Sequence, residues 1–261
     1  MSTLFLTSNL ETYRKNEIGA KNAIALVNKN AIVDNFKQSL KAQDNFLFVA
    51  SSIGHRSMTE EYFNIVKQSF EQTIPFKNYT ILDETEASRA EELVINADFI
   101  LLSGGHVPSQ NRLFQLLDLK HLLAKNNRAV ICGVSAGSMN CAETVYCPPE
   151  YEEELTPTFI KYFPGLALSK ISIYPHWEEH NKENELLSTT NIFHEIMLPD
   201  SEKAPFLAFD DGTYILQKGD AGKATVFGQS FLFCNGCYEE FSKIGEVKEF
   251  DWMEVINKKK E

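Results

Sequence analysis

The sequence predicts an α/β fold: a mainly parallel, doubly wound sheet with helices on both faces, followed by a C-terminal β-hairpin region. Two observations carry the prediction. Apolar runs of strand length alternate with helix-periodic segments through residues 3–133, with spacers long enough for crossovers. Several of these runs end in small, polar or glycine-rich stretches, as parallel strands do at the edge where ligands bind. No linker, repeat or low-complexity segment interrupts the chain, so residues 1–261 read as one domain.

Residues 3–8 form a short apolar run closed by Asn9, a first buried strand. A helix is expected near residues 29–41, then a buried strand over 45–50 that runs into Ser51-Ser52-Ile53-Gly54-His55, a loop suited to a ligand edge. From Met58 to Thr73 the residues Tyr62, Phe63, Val66 and Phe70 recur at helical spacing, with Thr59, Glu60 and Glu61 placed for a helix start. Strand 79–82, helix 88–96 and strand 97–103 follow, the last running into Gly104-Gly105-His106-Val107-Pro108. A periodic helix over 110–126 then leads to a strand over 128–133. In the second half, Cys147 to Glu154 is a Pro-rich acidic loop and 165–174 alternates as a strand that ends at Pro175-His176-Trp177. A helix is expected around 184–193. Residues 206–216 read as two strands joined at an Asp-Gly turn, and 225–228 with the strand into Cys234 as a further hairpin.

Composition narrows the function. A formal net charge of −11, with scattered basic residues, argues against nucleic acid as a partner. Lys258-Lys259-Lys260 reads as a solvated end. No apolar stretch reaches the roughly 20 residues of a membrane span, and the first residues lack the basic start of a signal peptide, so a cytoplasmic protein without a membrane partner is expected. The five cysteines (Cys132, Cys141, Cys147, Cys234 and Cys237) suit reduced thiols better than a disulfide framework. Cys234-Asn235-Gly236-Cys237 has C-x-x-C spacing, but its Asn-Gly centre reads as a hairpin turn and no second ligand pair is in sight. No metal or organic cofactor is expected.

The most informative stretch is Gly133-Val134-Ser135-Ala136-Gly137, where a buried strand breaks into a helix. This is the G-x-S-x-G pattern of a nucleophile elbow: a serine on a sharp strand-to-helix turn needs small neighbours if its strained backbone is to expose the hydroxyl. A glycine-rich turn without chemistry gives the same letters. An activated serine further needs a base, an acid to orient the base, and donors for an oxyanion. Among six histidines, His121 and His194 lie in helical patterns and His180 reads as a solvated helix start beside Glu178 and Glu179. His176 ends a strand between Pro175 and Trp177, either as a base or as a structural histidine. For the acid, Asp211 follows strand 206–209, while Glu150 lies fifteen residues after Ser135; Asp210, beside Asp211, should point the opposite way. Asp-Asp-Gly is also ordinary turn chemistry. Backbone N–H groups of Gly104-Gly105 and of Ala136 are the natural oxyanion donors. The order Ser, His, Asp differs from the Ser, acid, His order of an α/β-hydrolase.

Together Ser103-Gly104-Gly105, Gly133 to Gly137, Pro175-His176 and Ala208-Phe209-Asp210-Asp211-Gly212 resemble the peptidase E group of serine peptidases, which contains aspartyl dipeptidases and, more distantly, cyanophycinases. The pieces fall in the family order over residues 45–216. The resemblance implies a class I glutamine amidotransferase-like fold with serine at the amidotransferase cysteine position. It also implies Ser135 as nucleophile, His176 as base, and Asp211 or Glu150 as the orienting acid, Asp211 being favoured. Two departures stand out. The family carries Gly-Gly-Asn or Gly-Gly-Asp where this chain has Gly104-Gly105-His106, so substrate contacts of that loop, His106 included, differ. The family's downstream arginine, which grips an aspartate side chain, has no counterpart after Arg128, and Lys182 offers only a point charge. Strict aspartyl specificity is therefore not expected.

The expected function is a dipeptidase-like serine peptidase that hydrolyses a peptide or amide bond in a small substrate; a homodimer is left open. The alternative is a non-catalytic amidotransferase-like module that binds a small ligand or a partner protein, and the two separate on whether His176 reaches Ser135. Glutamine hydrolysis for a synthetase is a weaker option, because serine is less nucleophilic than a thiolate.

Overall fold

The structure, a computed structural model, describes residues 3–180, 186–219 and 221–258. Its larger sheet orders its strands Val247–Asp251, Lys223–Phe227, Tyr214–Lys218, Thr3–Thr7, Val130–Val134, Phe99–Leu102, Asn45–Val49 and Asn78–Leu82. From Thr3–Thr7 to Asn78–Leu82 every pairing is parallel; on the other side of Thr3–Thr7 every pairing is antiparallel. The expected large, mostly parallel sheet is present.

Both faces of its parallel part are buried, and the residues show why. Successive side chains of a strand point to opposite faces. Leu4, Leu6, Ile100, Leu102 and Ile131 enter one apolar cluster, whereas Phe5, Phe99, Leu101, Val130 and Cys132 enter the other. The second cluster is aromatic: Phe99 stacks on Phe46 at 5.3 Å between centroids and takes the edge of Phe36 at 5.2 Å. Helices Ile32–Ser39 and Arg56–Glu71 cover that face through Phe36, Val66 and Phe70. Helices Val107–Leu116 and Leu119–Lys125 cover the opposite face through Leu113, Phe114, Leu119, Leu122 and Leu123.

A second sheet of Ile173–Tyr174, Phe206–Phe209, Ser230–Cys234 and Cys237–Ser242 holds Trp177, Phe206 and Phe233 in the first cluster. Two expected hairpins are corrected here. Phe206–Phe209 pairs with Ile173–Tyr174 and Ser230–Cys234, while Tyr214–Lys218 pairs with Thr3–Thr7 and Lys223–Phe227. The Asp210-Asp211-Gly212 turn thus carries the chain from one sheet to the other. Gly228, at φ 107°, does the same between Lys223–Phe227 and Ser230–Cys234. Asn235 and Gly236, at φ 55° and 71°, turn the chain between the paired Cys234 and Cys237, which are free cysteines.

Other differences have local causes. The expected strand 165–174 is strand only at Ile173–Tyr174. Ala167 sits at φ 55°, and the N–H groups of Leu166 and Leu168 donate to the carbonyls of Asn140 and Cys141, so the segment is held as an irregular strap. The expected helix 110–126 is two helices, broken where Asp118 takes a left-handed conformation at φ 48°. A short pair, Tyr13–Lys15 with Lys21–Ala23, was not foreseen. Of the expected helix 184–193, residues 184 and 185 lie outside the described residues, as do Lys182, Lys259 and Lys260; a π-helical turn spans Ile192–Met197. Among the described residues no helix is long and apolar enough to cross a membrane.

Candidate active site

Strand Val130–Val134 reaches the carboxyl edge of the parallel sheet, and the chain reverses at Ser135 into the short helix Ala136–Met139. Ser135 has φ 50° and ψ −116°, a sparsely populated conformation that costs on the order of 1–3 kcal/mol and persists only where its surroundings enforce it. They do so here. The Ser135 N–H donates to the Thr7 carbonyl at 2.9 Å, and Ser138 Oγ accepts from the Thr7 N–H while donating to the Thr7 carbonyl, each at 2.8 Å. The motif's glycines are required by packing: a Cβ on Gly133 would lie 2.6 Å from Ser138 Cα, and one on Gly137 would strike the Leu102 carbonyl.

Strand Ile173–Tyr174 delivers His176 to the same edge, also at positive φ, 57°. Its Nε2 is 3.0 Å from Ser135 Oγ, and its Nδ1 is 2.8 Å from Asp211 Oδ1. With the ring proton on Nδ1 and donated to the carboxylate, the Nε2 lone pair faces the serine hydroxyl. Asp211 is in place because the turn that carries it joins the two sheets. Lys29 Nζ donates to the Asp211 carbonyl at 2.6 Å and Asn30 Nδ2 to the Gly212 carbonyl at 2.9 Å, pinning that turn.

Ser8 and Asn9, at the end of the first strand, complete the cluster. Ser8 Oγ donates to Asp211 Oδ1 at 2.7 Å and accepts the His176 N–H at 2.8 Å, while Asn9 Nδ2 donates to Asp211 Oδ2 at 3.3 Å. The sequence reading missed both. The signal was available, since they follow a parallel strand as Ser51, Gly104 and Ser135 do.

Electrostatics separate the neighbouring acids. Burial pushes the Asp211 pKa up, but hydrogen bonds from His176 and Ser8 outweigh it and hold the carboxyl below its usual range. Asp210, 7% exposed, is pushed up to about 6 by burial and by the nearby Glu178 carboxylate. Glu150 makes no hydrogen bond to His176 among the described residues; its own N–H donates to Glu154 Oε2 at 2.8 Å. Burial raises its pKa, opposed by the charges of His106 and His176.

The glycine loop lies against Ser135: a Cβ on Gly104 would be 3.4 Å from Ser135 Cβ, and one on Gly105 would be 2.6 Å from Ser51 Cβ. Ala136 follows Ser135 directly, so its N–H opens the short helix. His106 does not line the cleft beside Ser135; its ring nitrogens lie 2.8 Å from Ser109 Oγ and 2.8 Å from Glu154 Oε1. That cleft, about 380 Å³, has Ser135, His176, Gly104 and Gly105 in its lining. Phe48, Met58 and Tyr62 give it an apolar wall, and Lys21 and Glu61 bring opposite charges; no arginine is among the described residues that line it. A larger depression of about 620 Å³ lies over the antiparallel end of the sheet, lined by Lys218, Lys223 and Glu249, and includes neither Ser135 nor His176.

An α/β sheet with a strained serine at its carboxyl edge, within reach of a histidine beside an open cleft, is the arrangement of a nucleophile elbow. Residues 23–225 match the model of Peptidase family S51, and the chain belongs to that family. No curated protein matches the sequence. Among solved structures it is similar to a peptidase from an acI-B1 Actinobacterium, with a TM-score of 0.61 at 15% identity over 95% of this chain and 97% of that one. It is also similar to a peptidase E protein from Listeria monocytogenes EGD-e, with a TM-score of 0.52 at 14% identity over 93% of this chain and 100% of that one. At these identities the likeness is one of fold.

Proposed function

We propose that this chain is a dipeptidase-like serine peptidase that hydrolyses a peptide or amide bond in a small substrate. The observation that carries the reading is the continuous hydrogen-bonded line from Ser135 Oγ through His176 to Asp211. In this reading Ser135 Oγ attacks the carbonyl carbon as His176 Nε2 takes its proton. The N–H groups of Gly105 and Ala136 hold the oxyanion, and His176 returns the proton to the leaving amine. Water then repeats the sequence on the acyl-enzyme. The acid role goes to Asp211 over Glu150, supported by its 2.8 Å contact with His176 Nδ1. Serine at the position of the amidotransferase cysteine, on an amidotransferase-like fold, is part of the same proposal.

The cleft supports a small substrate with both apolar and polar parts. Its opposite charges, Lys21 and Glu61, suit the two ends of a free dipeptide better than an aspartate side chain gripped by an arginine fork. The non-catalytic reading required His176 to stand out of reach of Ser135, and the 3.0 Å separation speaks against it.

A dipeptide library assayed with wild type beside Ser135→Ala tests the proposal. Loss of at least about 10³-fold in kcat is expected for the variant, with fluorophosphonate labelling confined to Ser135 of folded wild type. Equal hydrolysis by both proteins would sink it.

A further inference from the structure

Gly104 and Gly105 lie between two anchored residues. Upstream, the Ser103 N–H donates to the Val49 carbonyl at 3.2 Å, and the Ser103 carbonyl accepts from Nε2 of the buried Gln110. Downstream, His106 is held through both ring nitrogens, by Ser109 Oγ at 2.8 Å and Glu154 Oε1 at 2.8 Å. Glu154 belongs to the Pro-rich acidic loop on another part of the chain. Its second oxygen accepts the N–H groups of Glu150 at 2.8 Å and Tyr151 at 3.2 Å, and the Tyr151 ring stands 5.6 Å from the imidazole. One carboxylate thus folds the acidic loop with one oxygen and grips the residue after the glycine pair with the other. The pair is shielded, His106 being 29% and Glu154 14% exposed, so these charge-assisted bonds are not dissipated in bulk water.

Two consecutive glycines have the widest backbone freedom a chain can offer. An oxyanion donor contributes its full effect only when its direction is fixed before charge develops; otherwise reorganisation consumes the gain. Downstream, the His106 carbonyl accepts the Gln110 N–H at 3.0 Å at the start of helix Val107–Leu116, and the imidazole, the first side chain after the pair, adds a second hold on the peptide that joins it to Gly105.

We propose that His106 and Glu154 form a clasp that fixes the Gly104-Gly105 donors, which makes both of them positioning residues for hydrolysis at Ser135. This rests on the reading of Ser135 as nucleophile. The side chain that departs from the family's Gly-Gly-Asn or Gly-Gly-Asp pattern therefore acts on the glycine backbone and not on the substrate.

The test is kinetic, using the best-cleaved peptide and His106→Ala, Glu154→Ala and the double variant. Each single change should lower kcat by about tenfold or more and leave KM within about threefold. The double variant should be no worse than the poorer single, since the two residues act as a unit. His106→Gln, whose amide can still donate to Glu154, should recover part of the loss, and it also serves if His106→Ala does not fold. Backbone amide exchange over residues 104–106 gives a readout independent of turnover and should quicken at least tenfold in His106→Ala and Glu154→Ala. Unchanged kcat with a lowered Tm, losses that add in the double variant, or unchanged exchange at the glycines would each overturn the clasp. Wild type that neither cleaves peptides nor takes the fluorophosphonate label would instead overturn the nucleophile reading, and the catalytic role of the clasp with it.

Discussion

Ser135 and His176 both hold positive φ values, 50° and 57°, at positions where L side chains are seldom found. Each backbone is fixed by the first strand, Ser135 through the Thr7 carbonyl and His176 through Ser8 Oγ. The neighbouring acids should behave in opposite ways. Asp211→Asn should lower kcat by about 10⁴-fold, as expected when the base loses the partner that sets its tautomer, whereas Glu150→Gln should keep activity within tenfold. Paired kcat measurements decide between them.

The two aspartates also predict opposite pH slopes of stability. The Asp211 pKa is depressed on folding, so its contribution is present above the unfolded value and lost as pH falls through the folded one. The Tm deficit of Asp211→Asn should therefore be largest near neutrality and close in acid. Asp210 is raised to about 6, so its contribution is full below about 4 and lost as pH rises through 6. Asp210→Asn should gain Tm relative to wild type between pH 4 and pH 7, read by thermal melts across that range. Ser135 was legible in the sequence because an elbow is a local pattern whose glycines have local reasons. The preference for Asp211 over Glu150 came only from the family resemblance, because the contact between Asp211 and His176 depends on a turn between two sheets that no spacing encodes.

At the scale of elements, the turns that change sheets matter more than the strands they join. Strands 206–209 and 214–218 were legible from their apolar runs, but the Asp-Gly between them reads the same whether its strands pair with each other or part. They part, and Asp211 reaches His176 because they do. The elbow has a similar dependence on its neighbours. Gly137→Ala would drive a methyl into the Leu102 carbonyl of the adjacent strand's end, a backbone atom that cannot swing aside. It should lower stability by several kcal/mol or prevent folding, whereas Gly245→Ala, in open space at φ 73°, should cost only about 1 kcal/mol of left-handed strain. Urea unfolding of the two variants provides the comparison.

For the whole molecule, polar bonds as well as the apolar core tie helix Leu198–Ser201, which packs on the second sheet, to a separate strand pair, Thr144–Tyr146 with Tyr162–Pro164. Lys161 Nζ contacts both oxygens of the buried Asp200 at 2.6 Å, and Tyr146 OH donates to the same carboxylate at 3.2 Å. Asp200→Ala leaves a lysine and a buried phenol without their acceptor and should cost about 3 kcal/mol, measurable by denaturant unfolding. The parallel half of the fold was readable from alternation alone. The second sheet was not, since its short strands carry no period long enough to show their partners.

Strand Thr3–Thr7 lies between Val130–Val134 and Tyr214–Lys218, and Ser8 at its end bonds to both His176 and Asp211. The chain therefore supplies Ser8 more than two hundred residues before Asp211, the carboxylate to which it donates. A nascent chain ending before residue 211 already carries Ser135 and His176 but lacks the Asp211 carboxylate that bonds to the imidazole.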